Sequence, residues 1–150
     1  MLPTLNGRLQ TRIFMLVVFG SVITLILTPI LPGGFGLNGE SYKITYLILA
    51  TVLVLGIIWE LIYHGIQQFR WEKDWPTLFG LITVINEGAL VWLFLDQGWI
   101  PGIDGENFPA SVFWAFFIDF TVIWLVIWVW TNGPMRVPFI RWRFFGGRIV

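Results

Sequence analysis

The sequence predicts an all-α polytopic membrane protein: a bundle of four transmembrane helices with both termini in the cytoplasm. Three observations predict it. Hydrophobic residues make up 57% of the 150-residue chain and charged residues only 12%, whereas about a quarter of an ordinary soluble domain is charged. Four apolar runs, roughly Ile13–Leu31, Ile44–Tyr63, Thr77–Leu95 and Ala110–Trp130, each approach the ~20 residues that a helix needs to cross some 30 Å of hydrocarbon. Finally, the basic residues are segregated. Arg8 and Arg12, Arg70 and Lys73, and Arg136, Arg141, Arg143 and Arg148 all fall at one end of such a bundle, and Lys43 alone falls at the other. Excess Lys and Arg marks the cytoplasmic side. The reading is a single transmembrane domain over 1–150, with helices at about 13–31, 44–65, 76–96 and 109–131 and a basic, aromatic tail over 132–150.

The first run is longer than the ~7–15 apolar residues of a signal peptide and has no Ala-x-Ala-like site after it, so it reads as a retained helix. Pro29, Pro32, Gly33 and Gly34 stop it. The outer connections Gly33–Ser41 and Asp96–Asn107 are rich in turn residues and carry Glu40, Asp96, Asp104 and Glu106. Asp74 with Pro76 and Asn107 with Pro109 suit the first turns of the third and fourth helices, because proline is tolerated where no intrahelical donor is needed. Asn132-Gly133-Pro134 suits the end of the fourth. Tryptophans punctuate the boundaries as interfacial anchors: Trp71, Trp75, Trp130 and Trp142 on the inner side, Trp99 on the outer. The chain has no cysteine, which excludes disulfides and thiolate metal sites.

Each run carries a stripe of small or polar residues at helical spacing: Gly20, Thr24 and Thr28; Gly56, Glu60 and His64; Gly80, Thr83 and Glu87; Ser111, Ala115 and Asp119. Residues three or four apart share a helix face, and small residues with interhelical hydrogen bonds drive helix association in lipid. Turned inward, the stripes bring Glu60, Glu87 and Asp119 into the bundle.

An ionisable group at that depth is a functional-site hypothesis by default. No Lys or Arg lies within the apolar runs beside these acids, so Glu87 and Asp119 are not both comfortably ionised. They serve as hydrogen-bond glue, hold an external cation, or relay protons, with Asn86 and Thr83 as hydrogen-bond partners. Glu60 and His64, spaced i, i+4, complete a polar core. A metal site is not expected, because bundle di-iron sites take Glu-x-x-His from two helices and this chain has one histidine. No cofactor is expected, and no phosphate-binding loop, nucleophile elbow or zincin motif is present. In the tail, Arg136, Arg141, Trp142, Arg143 and Arg148 suit an anionic lipid surface or a cytoplasmic partner; nucleic acid would need a larger basic surface.

The stretches Met1-Leu-Pro-Thr-Leu-Asn-Gly-Arg8, Gln67-Gln-Phe-Arg-Trp-Glu-Lys-Asp-Trp-Pro76 and Pro134-Met-Arg-Val-Pro138 with Arg141-Trp142-Arg143 resemble small four-helix integral membrane proteins of actinobacteria. The resemblance implies a bacterial inner (plasma) membrane and brings no activity, ligand or catalytic residue with it. The expected function is non-enzymatic: an accessory or scaffolding subunit of a larger membrane complex, or a homo-oligomer, with partners in the bilayer. The alternative is a proton- or cation-coupled small transporter using Glu87 and Asp119. Small multidrug transporters share the size and helix number, but their key glutamate lies in the first helix, where this chain's first apolar run holds no charge. A membrane enzyme with a carboxylate–His metal site stands third.

Overall fold

The computed structural model describes residues 4–69, 77–103 and 110–150, and the side chains of all of these except 77–81, 110 and 111. Arg70, Trp71, Lys73, Asp74, Trp75 and Pro76, and likewise Asp104, Glu106, Asn107 and Pro109, lie outside the described residues. The described chain is all-helical. Its first helix, α1, runs over Leu5–Ile30; α2 spans Gly39–Gln68, α3 Thr77–Asp96 and α4 Ala110–Asn132. A 3-10 turn at Pro134–Arg136 then leads to the short helix α5, Ile140–Phe144. Leu5–Ile30, Gly39–Gln68 and Val112–Arg136 are long and apolar enough to cross a membrane.

Local chemistry sets the ends. Thr4 caps α1 by accepting from the Gly7 amide at 3.1 Å, and Asn38 caps α2 by accepting from Ser41 at 2.8 Å; each satisfies a donor that the first turn leaves free. The apolar run of the first helix begins at Ile13, but the cap at Thr4 starts the helix at Leu5, which puts Arg8 and Arg12 on it. At its other end α1 tightens into a 3-10 turn at Thr28–Ile30, where Pro29 removes a donor, and Gly33 and Gly34 take positive φ.

Midway, Leu16–Gly20 forms a π turn. In an α-helix, residues spaced by four drift about 40° around the axis at each step. A π turn uses more residues per turn and so offsets that drift. Arg8, Arg12, Leu16, Gly20, Thr24 and Thr28 consequently keep one inward face, and the last four of them are buried.

α1 packs against α2 and α4, and α3 packs against α2 and α4 in turn. At the end away from the termini, Ile48 and Leu55 of α2, Val91 and Leu95 of α3, and Val112, Phe116 and Phe120 of α4 form the main apolar core. Leu16, Leu49 and Ile123 tie α1 to it. Hydroxyls join α1 to α2 as well: Thr28 donates to the Thr24 carbonyl at 2.6 Å, and its oxygen lies 3.0 Å from that of Thr45. The spanning windows of α1, α2 and α4 bury only 28%, 28% and 33% of their residues inside the chain. Their outer faces, with Val22, Leu25, Val54, Leu61, Trp114 and Val129 exposed, require another apolar covering.

The tail folds back. Past α5, Gly146 and Gly147 adopt positive φ, and the strand of chain they turn lies along the start of α1. Thr4 donates its amide to the Gly146 carbonyl at 2.8 Å, Thr11 its hydroxyl to the Gly147 carbonyl at 3.0 Å, and Trp142 its indole N–H to the Thr11 hydroxyl at 2.8 Å. Gln10 accepts from Ile149 at 3.0 Å. The two backbones meet at Gly7, where a Cβ would fall onto the Gly146 carbonyl oxygen.

Candidate functional site

Where the bundle's apolar core gives way towards the termini, three helices converge on an ionic cluster. Arg12 of α1 donates from Nη1 and Nη2 to the two oxygens of Glu87 on α3, at 2.7 and 2.8 Å, and from Nε to Oε1 of Glu60 on α2 at 3.1 Å. Arg8, one turn earlier, lies 3.7 Å from the other Glu60 oxygen and donates to Gln67 of α2 at 2.7 Å. The fork-to-fork pair between Arg12 and Glu87 is the strong form of charged hydrogen bond, and the guanidinium stays charged in any protein environment. The expectation that the acids lack a cation at their depth is therefore corrected for Glu60 and Glu87. The physical reason is reach: the helix starts eight residues before its apolar run, and a long arginine side chain extends from the helix end into the bundle while its stem stays in apolar contact.

Room for the guanidinium comes from a glycine. Gly56 faces Arg12, and a Cβ there would fall onto Nη1, with Cδ and Cζ also at 3.0 Å. Gly56, Glu60 and Gln67 thus form one face of α2 that receives both arginines.

Asp119 is different. It is buried to 5% exposure on α4, and its Oδ1 has no hydrogen-bond partner among the described residues. It lines a cavity of about 280 Å³ whose wall also includes Arg8, Arg12, Glu60 and Glu87. The remaining wall is chiefly apolar: Met15 and Leu16 of α1, Leu49 and Val52 of α2, and Phe120 to Ile127 of α4, with Trp142 and Gly147 of the folded-back tail at the end nearer the termini. Cavities of this sort, apolar with a few convergent polar groups, are the usual form of small-molecule sites. The volume falls just below the usual range of roughly 300–1,000 Å³, which suits a small occupant.

The other anticipated site residues are dispersed. His64 lies 3.3 Å from Gln68 through its Nε2 and leaves Nδ1 unpartnered among the described residues; it is not part of the cavity wall. Thr83 is half-buried on α3, and Asn86 is exposed. Of the small-residue stripes, Gly20, Thr24, Thr28, Gly56, Ala115 and Asp119 are buried, whereas Gly80 and Ser111 lie outside the described side chains. Among the described residues no group of three or more His, Asp or Glu is placed to hold a metal ion. In the tail, Arg141 lies over the Phe145 ring at 5.9 Å and Arg143 over Phe144 at 5.3 Å, both exposed, and Arg136 reaches Asn132 at 3.4 Å. Arg148 is exposed, with its backbone nitrogen beside Gly7, and Trp142 is engaged by Thr11 within the chain.

Sequence reasoning missed Arg8, Arg12 and Gln67. The signal was present, since Arg8 and Arg12 extend the four-residue spacing of Gly20, Thr24 and Thr28 backwards through Leu16. No family model, no curated protein and no solved structure matches this chain.

Proposed function

We propose that the protein crosses a bacterial plasma membrane four times, with both termini inside, and binds a small, largely apolar solute in its central cavity as a carrier or receptor rather than as an enzyme. The observation that supports this best is Asp119: a buried residue that lines a cavity of about 280 Å³ and whose Oδ1 has no hydrogen-bond partner among the described residues. A buried polar group left unpaired costs about 1–3 kcal/mol or more, so its retention suits a group completed by something that enters the cavity. Glu87 has a different role in this reading. Arg12 claims both of its oxygens, which makes it part of the bundle's framework and leaves Asp119 as the solute's polar contact.

The test is stabilisation by ligand. The purified protein in lipid nanodiscs is heated with each member of a panel of small apolar solutes. A solute that binds only the folded state at a hundred times its Kd adds about 2.7 kcal/mol, which reads as a raised unfolding temperature. Ile123→Trp, which fills the cavity from α4, abolishes the effect without abolishing folding. A panel that stabilises neither chain, or both equally, rejects the reading.

The accessory-subunit reading draws on the exposed outer faces of α1, α2 and α4, which lipid covers as well as a partner does.

A further inference from the structure

The wall of the cavity is unbalanced by one acidic side chain, and the imbalance specifies what fits. Two arginines and two glutamates on it are in direct contact. Arg12 is bonded to both Glu87 and Glu60, and Arg8 is paired with Glu60. Each of these four groups has its counter-charge within 4 Å, and all are only 5–16% exposed at the side chain. Asp119 is left over. No described cation pairs with it, its Oδ1 has no hydrogen-bond partner among the described residues, and the residue borders the same cavity. Entering anions find the arginines already engaged and meet an acidic group, whereas a neutral solute offers Asp119 a hydrogen bond without a counter-charge. A cation completes it.

The rest of the wall defines the body of that cation. From Asp119 the cavity follows α4 past Phe120, Ile123, Trp124 and Ile127 to Thr131, which at 1.5 Å per residue is about 18 Å of helix. Aromatic faces on this path attract a cation within about 6 Å of their centroids and pack equally well on an apolar stem. The cavity is therefore narrow, apolar along its length and acidic at one position.

Resting on the proposed solute-binding reading, we infer that the cavity selects hydrophobic monoamines: a single ammonium held by Asp119 and a slim aromatic or aliphatic body laid along α4 between Phe120 and Ile127. One positive charge is matched by one carboxylate. A dication, or a polyamine without an apolar body, would leave charge against the apolar wall.

Three probes of one shape separate the possibilities: 4-phenylbutylamine, 4-phenylbutanol and 4-phenylbutyrate, measured by equilibrium dialysis against the protein in nanodiscs, with empty nanodiscs subtracted. The wild-type chain should bind the amine at least tenfold more tightly than the alcohol, and the acid least. Asp119→Asn should reduce the amine to the affinity of the alcohol while leaving the alcohol unchanged, which also shows that the variant is folded. Asp119→Glu should restore part of the amine preference. Equal binding of amine and alcohol by the wild-type chain overturns the inference and leaves the solute-binding reading intact. Tightest binding of the acid overturns it in favour of the arginines as the reading groups. Binding of none of the three overturns both. The wild-type comparison decides the matter even if a variant fails to fold.

Discussion

At the residue scale, one arginine connects three helices. Arg12 belongs to α1, Glu60 to α2 and Glu87 to α3; Glu60 is also paired with Arg8 at 3.7 Å, whereas Arg12 holds both oxygens of Glu87. Buried ion pairs add little net stability over an apolar replacement, but losing one partner strands the other charge. Arg12→Met should therefore cost about 3–5 kcal/mol, measured by unfolding in mixed micelles. Arg12→Met combined with Glu87→Met should cost clearly less than Arg12→Met alone; an equal or larger loss would show that the pair does not act as a unit. Gly56 makes the same point sterically. Gly56→Val places its side chain where the guanidinium lies and should cost about 1–3 kcal/mol through overpacking, with nothing further lost when Arg12→Met is added. The acids of this cluster were legible in the sequence because carboxylates interrupt apolar runs. Arg12 was not, because it precedes the apolar run of its helix and reads equally well as a topology-setting loop residue.

At the element scale, the π turn of α1 and the folded-back tail both place residues that spacing alone does not. The π turn at Leu16–Gly20 holds one residue more than the α-helical path needs. Deleting Val18, which faces outward at 43% exposure, should convert it to α-helix and preserve the inward face on both sides. Deleting Val22 from the regular turn that follows should rotate Arg8 and Arg12 out of register with Thr24 and Thr28. Expression and unfolding temperature of the two deletions make the comparison, and equal loss would remove the phase-setting role of the turn. The tail is tied to α1 through Thr4, Gln10, Thr11 and Gly7. Gly7→Val should push it away, because the new side chain occupies the place of the Gly146 carbonyl, and trypsin should then cut after Arg143 faster than in the wild-type chain. Thr11→Val removes the acceptor of the Trp142 indole and should weaken docking by about 1 kcal/mol. The sequence marked the tail as basic and aromatic. Its backbone docking depends on glycines at 7, 146 and 147, whose meeting is a long-range contact without local periodicity.

At the scale of the whole molecule, the described chain divides into an apolar core at one end and a charged, partly open cavity nearer the termini. The all-helical architecture was readable from run length and composition, since hydrocarbon thickness fixes the length of a spanning helix. The cavity was not, because it depends on how four helix faces fail to fill the space between them. The absence of native cysteines allows a direct test of the proposed topology with single-cysteine variants in intact cells. Asn6→Cys and Val150→Cys should resist an impermeant thiol reagent added from outside, and Leu37→Cys and Trp99→Cys should react; the reverse pattern would invert the orientation. The central claim, that the bundle holds a solute against Asp119, is tested most directly by native mass spectrometry of the protein extracted from its own membrane in a mild detergent. The account predicts the chain carrying a small, releasable adduct that is lost in Asp119→Ala. A bare chain in stoichiometric complex with a foreign subunit, unchanged by that substitution, would contradict it.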